Sequence, residues 1–343
     1  MPTHRPSFAP RSLLAAFALC MPALCLASPA QAAGTPPPDR QVAGYVHQQI
    51  GTRTVTALFD GLVPLPRGQL KDIAPARMDA LLARGFVPEG KDGLQTAVNA
   101  YLVNDGRQLI LVDTGTAQCF GPGLGRVLEN LRASGYAPGQ VDTVLLTHAH
   151  PDHLCGLLDA QGQAAYPNAT VWLSQRDADY WLDPATETGA DVPARYRPLF
   201  KMARDAVAPY RAAGRLHLFA DGAPMPDGVR ALASHGHTPG HTSYLFGDVA
   251  DQQLLVWGDI VHYHAVQFAD PSAAFEADAD RVRATAARRD LMARSADQRW
   301  WLAGAHLPFP GIGHVRRDGK AFAWVPAEYA PLPDAPRAGD APK

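Results

Sequence analysis

The stretch "LLTHAHPDHLCGL", Leu145 to Leu157, sets His148, His150, Asp152 and His153 within six residues. Histidine fills only 13 of the 343 positions, so this density calls for a shared purpose. Imidazole nitrogen and carboxylate oxygen are donor types that suit divalent metals, and the run offers both. It follows "VDTVLLTH", a short, continuously apolar segment that reads as a buried strand ending at the histidines. Loops at strand ends are where an α/β enzyme carries its chemistry. A chain with this feature is expected to build the edge of a sheet around metal.

The rest of the chain supplies such an architecture. Residues 43–60 and 97–113 alternate apolar and polar positions as strands do, and the Asn-Asp-Gly core of "VNDGRQ" predicts a hairpin between "TAVNAYLV" and "QLILVDTG". Leu124, Val127, Leu128 and Leu131 follow helical spacing. Helices are also expected over "SQRDADYWL", from Arg195 to Arg211 and from Phe275 to Ala293. Strands are expected at "RLHLFA", "VRALAS", "TSYLFG", "QLLVWGD" and, last, "RWWLAGAH". Strands and helices alternate through two similar halves with no linker. This predicts one α/β domain over residues 43–328, two packed mixed β-sheets with outer helices. With 47% hydrophobic and 19% charged residues the chain can fill such a core. A net charge of −2 offers no basic field for a phosphate backbone, which excludes nucleic acid as a general partner.

The first 33 residues differ in kind. Arg5 and Arg11 precede an apolar run from Leu13 to Leu26 and a small-residue site at Ala30-Gln31-Ala32, the pattern of a secretory signal peptide. A flexible lead (34–42) and tail (329–343) are expected to flank the domain. The run is broken by Pro22 and is too short to span a bilayer, so the mature protein is expected to be periplasmic or secreted, with no membrane span. Cys20 and Cys25 leave with the signal. Cys119 and Cys155 remain, and whether they pair stays open. Cys155 is expected not to ligate metal.

Further donors stand at later strand ends: His235, His237 and His241 in "SHGHTPGH", Asp259 in "VWGDI" and His306 in "LAGAH". Each alone is as readily a structural histidine or a turn aspartate. Asp113 in "LVDTG" is either a plain turn residue or an acceptor that fixes an imidazole tautomer.

Together, HxHxDH, a later His, an Asp and a final His resemble the metallo-β-lactamase superfamily, αβ/βα sandwich hydrolases with two metals at one edge. The resemblance implies His148, His150 and His241 on one metal, Asp152, His153 and His306 on the other, and Asp259 between them. Asp152 and Asp259 are the candidate catalytic carboxylates. His235 and His237 are then expected to shape the loop behind the ligands. The implied cofactors are two divalent ions, zinc first, with Mn2+, Co2+ or Fe2+ as alternatives, holding a bridging hydroxide.

Longer stretches, "YLVNDGRQLILVDTG", "FGPGLGRVLENLRASGY", "LASHGHTPGHTSY", "AVQFADPS" and "AGAHLPFPGIGHVRRDGK", resemble the methyl parathion hydrolase group within that superfamily. That implies a hydrolase of phosphotriesters, lactones or aryl esters, and leaves room for a homodimer. Leu65, Phe120, Trp181 and Leu199 are the implied pocket wall, joined by His262 of "IVHYHAVQF". His262 either bonds an ester or lactone oxygen or serves as plain wall; it and His264 stand where the group's organophosphate hydrolases are apolar. The alternatives are a β-lactamase cleaving β-lactam amides, iron redox chemistry on the same scaffold, and a binding protein that kept the fold without catalysis.

Overall fold

The computed structural model describes residues 1–3, 41–190 and 192–333. The expected signal peptide after Thr3, the lead up to residue 40 and the tail beyond residue 333 lie outside the described residues.

An eight-stranded sheet runs in the spatial order Tyr45–Ile50, Arg53–Leu65, Gly93–Asn104, Leu109–Val112, Thr143–Leu145, Thr170–Ser174, Leu216–Phe219, with Glu89–Gly90 paired beside Gly93–Asn104. It is antiparallel as far as Leu109–Val112 and parallel beyond. The expected hairpin is present. Asp105 Oδ1 accepts from the backbone N–H of Arg107 and of Gln108, and Gly106 takes φ +84, which glycine tolerates without steric cost. A six-stranded sheet follows in the order Val229–Ala233, Thr242–Phe246, Leu254–Val256, Trp301–Ala303, Ile312–Asp318, Ala321–Pro326.

Side-chain alternation sorts these strands into layers. Ile110 and Val112 meet Tyr244, Phe246, Leu254 and Val256 between the sheets. Leu109 and Leu111 point the other way, into a cluster with Leu131, Phe200, Val207 and Tyr210 from the helices Val127–Ala133 and Arg197–Ala212. On the far side Leu245, Leu255 and Leu302 pack against Leu291 and Met292 of the helix Arg281–Gln298. The result is the helix–sheet–sheet–helix sandwich, in which burial of each large aliphatic side chain contributes about 1.5–3 kcal/mol.

Three elements differ from expectation. The helix expected from Phe275 begins at Arg281, because Ala274–Phe275 pairs with Leu70–Lys71 as a small sheet and the Asp280 carboxylate caps the helix through the Arg283 N–H. The strand Trp301–Ala303 is not the last: Ile312–Asp318 and Ala321–Pro326 follow as a hairpin. The helix Pro75–Arg84 lies where no element was expected; its proline at the first helical position and small apolar stripe gave little periodicity.

This arrangement brings five strand ends to one edge. Asp113 follows Val112, His148 follows Leu145 by three residues, His241 precedes Thr242, Asp259 lies three residues beyond Val256 and His306 three beyond Ala303. The sheets are tied there by Thr242 N–H donating to Thr147 O at 2.8 Å and Tyr244 O–H to Leu146 O at 2.7 Å.

Candidate metal centre

The first loop is organised by Asp113. Its Oδ1 accepts the Thr147 N–H at 2.8 Å and its Oδ2 the Thr147 hydroxyl at 2.9 Å, and Oδ2 also faces His153 Nδ1 at 2.9 Å. Because the Thr147 proton goes to Asp113, its oxygen is left to accept from His148 Nδ1 at 3.0 Å. In the neutral rings hydrogen bonding thus fixes both tautomers, with the lone pair on Nε2, which in His148 lies 3.0 Å from His150 Nδ1. Asp113 holds φ +59, a left-handed conformation that non-glycine residues seldom adopt, and it acts here as the acceptor that orients imidazole.

The other strand ends repeat this logic. His306 Nδ1 faces the Ala97 carbonyl at 2.9 Å and must donate to it, so in the neutral ring Nε2 carries the lone pair; that atom lies 3.1 Å from Asp259 Oδ2 and 3.5 Å from Asp152 Oδ2. His237 Nδ1 faces the Asp278 carboxylate at 2.9 Å, which leaves its Nε2 bare, 3.0 Å from His150 Nδ1 and 3.2 Å from Asp259 Oδ2.

His241 behaves differently from what the resemblance implied. Its Nδ1 pairs with Ser234 Oγ at 2.8 Å and its Nε2 accepts the Asp259 backbone N–H at 3.0 Å, so neither nitrogen has a free lone pair. The place expected for His241 is taken by His237, which had been expected to stand behind the ligands. Its ring stands with those of His148, His150 and the Asp259 carboxylate, one donor atom of each lying within 4.8 Å of the others. His235 reaches outward instead, to Asp221 at 3.1 Å.

A second group within the same limit is Asp152, His153 and His306, and a third is Asp259, His262 and His306. The decisive contact lies between His153 Nε2 and Asp259 Oδ1, 3.1 Å apart, both buried and neither with a hydrogen-bond partner. Two such groups facing each other in a buried site need a metal ion or a proton between them. The donor set, imidazole with carboxylate and no thiolate, suits zinc and its neighbours.

The surrounding carboxylates favour the protonated form of two of these rings. Burial opposes a charged His153, but Asp259, Asp152 and Asp113 outweigh it and raise its pKa well above the ordinary imidazole value. His237 is pushed up to about 9, burial being outweighed by hydrogen bonds to Asp259 and Asp278. His262 goes the other way, to about 4, chiefly through burial.

Leu65, Phe120, Trp181, Leu199 and His262 all line one cavity of about 730 Å³ that opens onto this cluster. Val63, Tyr196, Phe200 and Phe275 add apolar wall. Phe120 stands partly exposed, Trp181 packs edge-on to the His150 ring at 4.9 Å, and His262 lies 3.0 Å from Asp259 Oδ2. His264 lies outside the lining. Cys119 and Cys155 form a disulfide that ties the Phe120 loop to the turn carrying His153. Two residues that sequence reasoning missed are Asp177 and Asp278. Nothing in "SQRDADYW" or "FEADAD" marks either, since the acceptor role of each depends on loops distant in sequence. His47, His217 and His314 are structural: they meet Thr56, Trp172 and the Trp300 carbonyl.

The family model of the metallo-beta-lactamase superfamily matches residues 93–312, which spans every one of these donors. The chain belongs to the metallo-β-lactamase superfamily. Within it, the crystal structure of the hydrolase AbOPH is 41% identical, covers 85% of this chain and all of its own at 100%, and superposes with a TM-score of 0.80. The dizinc quorum-quenching lactonase AidC is similar in fold, with a TM-score of 0.74 at 24% identity over 84% of this chain and 99% of that one. The hydroxyacylglutathione hydrolase of Acidiphilium cryptum is 30% identical over 153 residues, 44% of this chain and 45% of that protein. The chain thus spans less than half the length of the curated relatives it matches. Relatives of this superfamily member are hydrolases, and its own His/Asp cluster could hold metal. Among the described residues no helix is long and apolar enough to cross a membrane.

Proposed function

We propose that this protein is an exported two-metal hydrolase that cleaves ester-like bonds, in phosphotriesters, lactones or aryl esters, of largely apolar small molecules. The observation that carries the reading is the unpartnered pair His153 Nε2 and Asp259 Oδ1, 3.1 Å apart and buried. His148, His150 and His237 would hold one ion, Asp152, His153 and His306 the other, and Asp259 both. Two divalent ions so held, zinc in the first instance, supply a water acidified to near neutrality and a Lewis acid for the scissile carbonyl or phosphoryl oxygen.

The chain's own residues do the rest. Asp113, Asp278 and the Ala97 carbonyl hold His153, His237 and His306 in the tautomer that presents Nε2, Thr147 does the same for His148, and His150 turns its Nδ1 to the cluster. The apolar walls from Leu65, Phe120, Trp181 and Leu199 exclude water and orient a neutral substrate over the donors. His262, its ring 4.2 Å from Phe275, adds one polar group to that wall. The Cys119–Cys155 disulfide supports export, since such bonds persist in oxidising compartments. The family likeness weighs against β-lactams, since true β-lactamases of the superfamily usually present cysteine or another ligand arrangement where this chain has Asp259.

The test is metal analysis of the purified protein followed by a substrate panel: methyl parathion, an acyl-homoserine lactone, an aryl ester and a β-lactam, each with metal-loaded and chelated protein. Two metal equivalents per chain and chelator-reversible turnover of an ester-like substrate are expected. A protein that takes up no metal, or that turns over the β-lactam best, overturns the proposal. Cell fractionation checks export, with the processed chain expected in the periplasm or medium.

A further inference from the structure

Asp177, on the helix Gln175–Trp181, is fully buried and touches none of the clustered donors, yet its carboxylate joins the two loops that carry them. Oδ2 accepts the Ala149 N–H at 2.9 Å and the Thr238 hydroxyl at 3.0 Å; Oδ1 accepts the Gly240 N–H at 2.6 Å. Ala149 sits between His148 and His150 on the first sheet's loop, and Thr238 follows His237 on the second sheet's loop. A single oxygen therefore spans the two sheets next to the closest approach of their imidazoles, His150 Nδ1 to His237 Nε2 at 3.0 Å. The fit is close: a Cβ at position 240 would lie 2.5 Å from Asp177 N, so glycine is required for the loop to reach the carboxylate. One turn further along the same helix, Trp181 packs on the His150 ring.

We propose that Asp177 is a positioning residue that sets the separation of His150 from His237, and so the metal affinity of the three-histidine site. The inference rests on the two-metal reading but on no particular substrate. The sheets themselves are held by the core between them and by Thr242 N–H on Thr147 O, so loss of the carboxylate should loosen the loops and leave the fold standing. The other site, built from Asp152, His153 and His306, has its own supports in Asp113 and Ala97 O.

The experiment is metal binding to the full chain by chelator competition, with 113Cd NMR to separate a three-imidazole site from a two-imidazole site. In Asp177→Asn the amide group must face the Ala149 or the Gly240 N–H, donor against donor. The three-histidine site is expected to weaken about 10- to 100-fold, the range for losing a group that orients ligands, with the other site unchanged. Should that variant fail to fold, Thr238→Val and Thr238→Ser decide. The first removes the hydroxyl and should weaken the same site about tenfold, the loss of one hydrogen bond to a charged group, while the second keeps it and should bind as wild type. Wild-type affinity at both sites in Asp177→Asn, equal weakening of both, or no difference between the Thr238 variants overturns the inference. A wild-type protein that binds no metal overturns the two-metal reading and this inference with it.

Discussion

The loop after Leu145 and the loop after Ala233 each bring three histidines to the same edge of the sandwich. In the first, His148, His150 and His153 all stand in the groups that could hold metal; in the second, His237 alone does. The difference lies in what else each imidazole meets. In the first loop Asp113 and Thr147 take the Nδ1 protons of His153 and His148, and Nε2 is left pointing inward. In the second, only His237 finds a carboxylate for Nδ1 and turns Nε2 to His150 Nδ1 and Asp259 Oδ2. His241 gives both nitrogens to Ser234 and to the Asp259 backbone, and His235 turns to Asp221 at the rim. In His148, His153 and His237 the far nitrogen is occupied and the near one faces the cluster, the arrangement that orients an imidazole toward metal.

Five experiments break or sharpen that contrast. The strongest removes what both loops face: Asp259→Ala, or exhaustive chelation, should take away both metals and all measurable turnover, read by metal content and rate. Next, His237→Ala should remove the metal of the three-histidine site, dropping stoichiometry from two toward one. Third, the first loop alone is covalently tied, through Cys119 and Cys155 across 36 residues. Replacing both by Ser should lower stability by about 3–4 kcal/mol in denaturant titrations, as chain-entropy cost for a loop of that length implies. Fourth, His241→Ala should leave two metals in place while destabilising the fold by about 1–3 kcal/mol, because the buried Asp259 N–H loses its acceptor. Loss of metal in His241→Ala, with His237→Ala unaffected, would restore the assignment that the resemblance implied. Last, His235→Ala should change stability by less than about 1 kcal/mol and metal content not at all, since its partner Asp221 is exposed.

Much of this was legible in the order of residues. The Asn-Asp-Gly hairpin follows from local turn chemistry, and the strand Thr143–Leu145 from an apolar run feeding polar residues. The helix near residue 280 was displaced because "FEADAD" satisfies the helix pattern less well than it satisfies its own turn, where Phe275 N–H bonds Asp278. The final hairpin was missed because Ile312–Asp318 carries two arginines and an aspartate on a partly exposed edge, which blurs the alternation. The pocket wall, by contrast, came only from family likeness, since Leu65, Phe120, Trp181 and Leu199 lie on four separate segments.

By itself, then, the sequence determined the donor types, their clustering at strand ends and the layered fold that gathers them, because these depend on spacing and on hydrophobic alternation along the chain. Which histidine of "SHGHTPGH" faces the centre, that Cys119 and Cys155 bond, and that Asp177 joins the loops were decided by tertiary structure alone. Each depends on a partner contributed by another part of the chain, Asp278 for His237, the Asp259 N–H for His241 and Ala149 for Asp177, and no local pattern encodes where that partner will stand.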